Sequence, residues 1–161
     1  WTHAQKLQAS ERRVDAFFGA KLAASDDGTL VVTAPGDYFY FGGAYVFSCT
    51  AAGVCTETDV LRAADGEEDD GFGESVSISS NTIIVGAPYK RFDDDGYDTE
   101  GTGSIYTFTR ELKGGWVETS KITAVDVAKY ATYFGKQVAI SNHTVAVVSG
   151  DGLAYVKEVC D

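Results

Sequence analysis

The hydrophobic pattern is clearest in residues 72–88, whose sequence is FGESVSISSNTIIVGAP. Apolar side chains alternate with serines over residues 75–79, and a period of two is typical of a strand with one buried face. After a short turn, the β-branched run at 82–85 predicts a strand that is buried on both faces. Pro88 ends this strand because proline has no N–H for a sheet ladder. The segment therefore predicts a β-hairpin.

The same pattern occurs three times, so the chain is predicted to be an array of three similar units. Each copy contains a Phe-Gly pair, which begins at Phe18, Phe72 and Phe134. An aromatic strand follows each hairpin, and another strand precedes each Phe-Gly pair. The aromatic strands are GGAYVF at 42–47, GSIYTF at 103–108 and GLAYV at 152–156, and the preceding strands lie near residues 4–9 or end at Leu61 and Ile122. Each unit thus predicts four strands in the same order.

These residues resemble the FG-GAP repeat, the blade unit of integrin α-subunit propellers and of many microbial surface proteins. The resemblance covers essentially the whole chain and implies an all-β fold of three four-stranded antiparallel blades at 1–53, 54–115 and 116–161. Such a chain is a partial β-propeller or a propeller completed by self-assembly. The match is weakest in the third copy, where Gly-Ala-Pro has become Val148-Ser149-Gly150.

Composition narrows the setting of the protein. The chain has 161 residues with 44% hydrophobic content, which supports one compact array with a real core. No run of about 18 apolar residues predicts a membrane span. The formal charge of −11 argues against nucleic acid or an anionic membrane as a partner. The charge suits cations, basic proteins or plain solubility. The chain begins at Trp1, which suggests a processed or excised form.

Three cysteines and one sequon point to an extracellular protein. Cys49 and Cys55 flank a short Gly-containing segment that can close a disulfide, although two free buried thiols are the alternative. Cys160 is left over, and it is a candidate for an intermolecular disulfide unless it pairs elsewhere or stays free. Asn142 begins an Asn-His-Thr sequon in a predicted turn, where a glycan would be exposed.

An acidic loop follows Pro88 and raises the question of calcium, which prefers carboxylates on a tight glycine-bearing loop. The candidate ligands are Asp93, Asp95, Asp98 and Glu100. Arg91 stands where such a loop would have its first ligand. Integrin blades carry their calcium loop in the hairpin turn, which is very short here, so the calcium residues of that family do not transfer. The alternative is a hydrated acidic loop without a metal.

Four successive aromatic residues form a second candidate site, a binding platform made of Tyr38, Phe39, Tyr40 and Phe41. Exposed aromatic rings would suit a sugar ring or another protein chain. The alternative is that these rings cover the neighbouring unit. Both interpretations remain open from the sequence.

No catalytic constellation is visible, so the sequence predicts a protein that is not an enzyme. His3 and His143 lie near a terminus and in a predicted turn. There is no Cys-x-x-Cys spacing, phosphate loop or nucleophile elbow. The acidic pair Asp69-Asp70 does not by itself set the separation that glycoside hydrolysis needs. The serines of the hairpin at 75–80 are predicted to face outward or lie in the turn.

The blade number leads to two hypotheses about function. Propellers usually close with about four to eight blades, so three blades are predicted to leave two different apolar faces open. Joining those faces head-to-tail gives a ring or a filament of the chain with itself. We therefore favour a secreted structural subunit of an extracellular fibre or surface coat. The alternative is an adhesion module that recognises a protein or glycan through its loops.

Overall fold

The computed structural model describes residues 5–11, 13–37, 41–90, 102–124, 132–142 and 144–158, and within them it confirms the all-β prediction. In these ranges, eleven strands form three antiparallel sheets of four, four and three strands. The first sheet contains β1 (Leu22–Ala24), β2 (Thr29–Ala34), β3 (Gly43–Cys49) and β4 (Cys55–Leu61). The second contains β5 (Ser75–Ser79), β6 (Thr82–Ala87), β7 (Ser104–Arg110) and β8 (Trp116–Thr123). The third contains β9 (Gln137–Ser141), β10 (Thr144–Val148) and β11 (Ala154–Glu158).

The three sheets are three successive blades, and their contents are offset by one strand from the sequence units 1–53, 54–115 and 116–161. The strand that opens the second unit, β4, pairs with β3 of the first blade. Likewise, β8 opens the third unit and pairs with β7 of the second blade. The first strand of a sequence unit therefore completes the blade before it.

This offset explains where the sequence prediction of a strand near residues 4–9 was wrong. Within the described segment, residues 5–9 are not in a strand. A strand needs an edge with which to pair, and β4 and β8 find that edge on the preceding blade. No sheet precedes the first blade among the described residues, so the segment lies beside the blade without a ladder of its own.

The blades pack face to face through their central strands. Between the first and second blades, Val31 and Val46 lie in one apolar cluster with Phe72, Ile83 and Tyr106, all of them at most 1% exposed. A second cluster between the next two blades contains Ile84, Ile105, Phe134, Val145 and Val147. Each Phe-Gly phenylalanine meets the aromatic strand of its own blade edge to face, as Phe72 does with Tyr106 at a centroid distance of 5.6 Å.

A row of serine hydroxyls joins the second blade to the third. The Ser75 hydroxyl donates to the carbonyl of Gly135 at 2.7 Å. The hydroxyls of Ser77 and Ser79 accept backbone N–H groups of the third blade at 3.1 and 3.0 Å. The prediction that these serines simply face outward was wrong for Ser75, which is buried, because the face that alternation assigns to them lies against another blade.

The outer hairpin of the first blade is cross-linked. Cys49 and Cys55 form a disulfide between the facing ends of β3 and β4, with Cα atoms 4.0 Å apart. For a loop of this size, the loss of unfolded-chain entropy corresponds to about 2 kcal/mol of stabilisation. The bond therefore fixes the β3–β4 turn at the end of the blade where β1 and β2 also turn.

Candidate functional site

The two ends of the blades differ. At one end, short turns join β1 to β2, β3 to β4 and their counterparts; we call it the turn end. At the other end, which we call the loop end, β2 is joined to β3, β4 to β5 and β6 to β7 by longer connections. We consider two surfaces: the face through which blades join, and a cleft at the loop end.

Two successive blades meet at two backbone segments. One is the Phe-Gly pair that precedes the first strand of a blade, which we call the Phe-Gly corner. The other is a glycine of the blade before it, which we call the acceptor glycine. Gly42 forms an isolated parallel bridge with Phe72, and Gly103 forms the same bridge with Phe134. A Cβ atom on Gly42 would lie 2.0 Å from the Phe72 carbonyl oxygen, and one on Gly103 would lie 2.2 Å from that of Phe134. Only glycine allows the backbones to approach this closely.

The third blade has the same acceptor glycine with nothing docked on it. Gly152 opens the GLAYV strand and has φ of 84°, close to the 83° of Gly42 and the 80° of Gly103. No atom of the described residues lies within 4 Å of the place where its Cβ would be. Among the described residues, the third blade thus carries an empty counterpart of both occupied joints.

The sheet surface around Gly152 is also apolar at the positions that blades use for packing. Val46 and Val156 hold the same place in their blades, yet Val46 is 1% exposed and Val156 is 69% exposed. The neighbouring positions on this face of the third blade are likewise uncharged small or branched residues. They are Ala146, Val148 and Ala154, of which Ala146 and Val148 are half-buried and Ala154 is exposed. We call this surface, with Gly152, the open face.

The first blade carries an unused Phe-Gly corner. Gly19 has φ of 97°, and no atom in the described part of the chain lies within 4 Å of where its Cβ would be. A Cβ on its counterpart Gly135 would lie 2.5 Å from the Ser104 carbonyl oxygen. Leu22 beside Gly19 is 68% exposed. The Phe-Gly corner and β1 of this blade are therefore accessible to an acceptor glycine of another chain.

The side of the first blade near its aromatic strand, β3, is covered by the N-terminal segment of the same chain. Leu7, Ala9 and Ala16 pack on the aromatic strand, and Tyr45 and Phe47 are 0% and 3% exposed. The prediction that both terminal blades present fully open faces was therefore wrong for this blade. The covering segment was expected to pair as a strand, and it instead lies against the blade that follows it.

At the loop end, the ring of Tyr89 separates two adjoining clefts. Tyr89 is 45% exposed, and Glu74 lines both clefts beside it. Phe17, which is 62% exposed, closes one cleft, and Gln137 and Lys136 of the third blade line the other. The Tyr89 ring is held edge to face against Tyr133 at a centroid distance of 5.9 Å. Rigid aromatic rings beside polar groups are suited to binding a ligand.

Buried charges brace this end of the blades, with opposite signs at equivalent positions. Two residues after each Ala-Pro, the first blade has Asp37 and the second has Lys90, at 0% and 4% exposure. Arg62 pairs with Asp37 at 3.1 Å, and Asp70 pairs with Lys90 at 2.9 Å.

The Tyr45 hydroxyl donates to the carboxylate of Asp37, and the Tyr106 hydroxyl donates to that of Asp65 at 2.8 Å. Burial raises the pKa of Tyr106 well above its ordinary value, so the phenol stays a donor. Burial also raises the pKa of Asp70, in spite of the ammonium group of Lys90. These contacts hold the loops in place against the aromatic strands.

The structure describes only some of the site residues that the sequence predicts. Asn142 is exposed in the β9–β10 turn, and Phe41 is half-buried near Gly66. Several others lie outside the described residues, namely Tyr38, Phe39, Tyr40, Asp93, Asp95, Asp98, Glu100, His3, His143 and Cys160. In the described part of the chain, no three His, Cys, Asp or Glu side chains are grouped to hold a metal ion. Nor does any helix there have the length and apolar character needed to cross a membrane.

Sequence reasoning missed the acceptor glycines and the Tyr89 clefts. The signal for the glycines was present, because Gly42, Gly103 and Gly152 recur directly before or within the start of each aromatic strand. No comparable signal marked Tyr89, whose importance depends on contacts with other blades.

Comparison with known proteins agrees with the geometry. The sequence profile described as the FG-GAP repeat matches residues 1–47, 55–108 and 116–155, which is most of the chain. No curated protein sequence matches the chain significantly. The second and third matched segments begin at β4 and β8, so each starts one strand before the sheet that holds the rest of it.

Proposed function

Because the chain belongs to the FG-GAP repeat family, we propose that it is a non-enzymatic structural subunit of an extracellular assembly, such as a fibre or coat. Copies join head-to-tail, with the Phe-Gly corner of one first blade on the open face of another third blade. The observation that carries this proposal is the empty acceptor glycine, Gly152, on the same chain as an unused corner at Phe18-Gly19.

The two surfaces are different, so their contact is heterologous and yields a ring or an open filament depending on the rotation at each joint. Burial of the open face follows the pattern of the two joints inside the chain, where equivalent positions are almost fully buried. The family, the Cys49–Cys55 disulfide and the sequon at Asn142 support an extracellular location.

Introducing a charge on the open face should abolish assembly. Val156→Asp places a carboxylate where the joint must exclude water, and we expect association to weaken about 100-fold or more. The same change at Leu112, which is fully exposed in the β7–β8 turn, is the matched control and should assemble like the wild type. Light scattering over a concentration series, with electron micrographs, measures the outcome. Equal assembly of both variants, or a wild type that stays monomeric, would overturn the proposal.

The Tyr89 clefts favour a second candidate function, the binding of a protein or glycan ligand at the loop end. The half-exposed ring is fixed by Tyr133 and is flanked by the carboxylate of Glu74 and the amide of Gln137. Such a surface belongs to a single chain and needs no assembly.

Removing the ring should remove binding at this site. Tyr89→Ala should reduce binding to immobilised glycans or cell-surface protein by about tenfold, since one aromatic contact contributes about 1 kcal/mol or more. Tyr133→Phe keeps the ring contact and is the control. If the wild type binds none of a panel of glycans and cell-surface proteins, this second function is contradicted. The assembly proposal is unaffected by that result.

A further inference from the structure

We propose that the segment containing residues 5–7 of one copy serves as the fourth strand of the third blade of another copy. This inference rests on the proposed head-to-tail function and specifies how the joint is built. The third sheet has three strands in the described part of the chain, in the order β11-β10-β9, so β11 is an edge. In the two other blades, the strand at this edge has a partner, β4 or β8.

The segment already occupies the place of such a strand relative to the blade that follows it. The Ser10 N–H donates to the Glu57 carboxylate at 2.9 Å, and the Ala64 N–H donates to the Glu118 carboxylate at the same distance. Leu7 packs on the first blade, as its counterpart Leu61 packs on the second. Residues 5–10 therefore stand before the first blade as residues 59–64 stand before the second.

The two segments differ on the side that faces away from the following blade, where a preceding blade would lie. In residues 59–64, the strand portion is hydrogen-bonded to β3 of the preceding blade. Residues 5–9 lie in no ladder. A head-to-tail joint brings β11 of another copy to this side, because the preceding blade always lies there. The Gln5 side chain bonds the Cys55 backbone of its own blade, so the segment is held in place while its backbone lies in no ladder. The edge of β11 and this segment are thus complementary.

The register follows from the two complete sheets. Ala44 faces Leu61, and Ile105 faces Ile122. The equivalent pair across the joint is Ala154 with Leu7. Two residues further along β11, Val156 faces Gln5, in the place of Val46 with Asp59 and Thr107 with Ser120.

Side-chain chemistry agrees with this register. Tyr106 faces Lys121 across the second sheet, and the ammonium group lies 5.6 Å from the ring centroid, a cation–π contact. The proposed pairing places Lys6 opposite Tyr155, the same two residue types. Lys6 is exposed in the single chain and therefore accessible to a second copy.

Disulfide trapping between two copies tests the register. Val156→Cys and Gln5→Cys are made separately, each with Cys160→Ser, and the two proteins are mixed and oxidised. Glu158→Cys is the matched control for Val156→Cys, since it lies on the same exposed strand but two residues out of register. We expect the 156–5 bond to form at least about tenfold faster than the 158–5 bond, because only the former pair is held together.

The outcomes separate this inference from the proposed function. Equal rates for the two pairs in a protein that assembles would overturn strand donation and leave a joint made by faces alone. A wild type that remains monomeric at its highest soluble concentration, with no preferred cross-link, would overturn both. In a chain carrying both cysteines, linked oligomers support the proposal, and a monomer linked within itself contradicts it.

Discussion

Replacing Gly103 by alanine should destabilise the protein by about 3–5 kcal/mol, whereas the same change at Gly152 should cost only about 1–2 kcal/mol. Both glycines have φ near 80°, where any other residue is strained. The new Cβ at Gly103 would also lie 2.2 Å from the Phe134 carbonyl oxygen and 2.4 Å from the Phe134 nitrogen. Backbone atoms inside a blade joint cannot move aside without separating the blades.

The comparison is informative because the two positions are equivalent and differ only in what lies opposite them. It is best made with Val156→Asp present in every protein, so that each is measured as a single chain. Denaturant unfolding gives the free energy and the m-value of each variant. Equal losses in the free energy of unfolding at both positions would mean that the strained φ alone causes the destabilisation. The close contact at the acceptor glycine would then contribute nothing.

Replacing Lys90 by methionine should cost about 3–5 kcal/mol at neutral pH. The Lys90 ammonium group lies 2.9 Å from the Asp70 carboxylate and donates to the Asp65 carbonyl at 2.7 Å, with 4% of the residue exposed. Methionine keeps most of the volume but leaves the buried carboxylate of Asp70 without its counter-ion. The cost is that of an uncompensated charge.

The loss should depend on pH. Burial already raises the pKa of Asp70 above its ordinary value, and without Lys90 the pKa of the folded state rises further. As pH falls from 7 towards 4, the folded variant takes up a proton before the unfolded chain does. The deficit of the variant relative to the wild type should therefore shrink.

The double variant Lys90→Met with Asp70→Asn removes both charges and keeps an acceptor for the Glu67 N–H, which bonds Asp70 at 2.8 Å. Its deficit at neutral pH should be smaller than that of Lys90→Met and independent of pH in this range. Unfolding curves at several pH values measure all three proteins. A deficit in Lys90→Met that stays constant with pH would contradict the assignment to Asp70.

Much of the fold could be predicted because its signals are local. The alternation at 75–79 and the β-branched run at 82–85 predict β5 and β6 closely, and the recurrence of Phe-Gly predicts three blades. The pairing of β4 with β3 could not be read in this way. Which sheet a strand joins depends on neighbours far along the chain, and a repeat looks the same whichever blade its first strand completes.

The site was less predictable for the same reason. Glycine recurs before each aromatic strand, but the sequence does not say that Gly42 and Gly103 touch the next blade while Gly152 does not. The sequence also does not show that Asp37 and Lys90, which have opposite charges at equivalent repeat positions, are both buried and paired. Their partners, Arg62 and Asp70, come from other connections of the chain. Contacts between blades, rather than patterns within them, decide these features.

The exchange of β11 amides with deuterium, measured over a concentration series beside β7 of the same chain, tests the central claim most directly. If the third blade is completed by a second copy, the β11 amides that point away from β10 should be poorly protected in dilute protein and approach the protection of β7 as assembly proceeds. In Val156→Asp, the amides on this edge should remain poorly protected at every concentration. Protection of β11 that does not change between the single chain and the assembled protein would contradict the account, because the edge would then have no part in the joint.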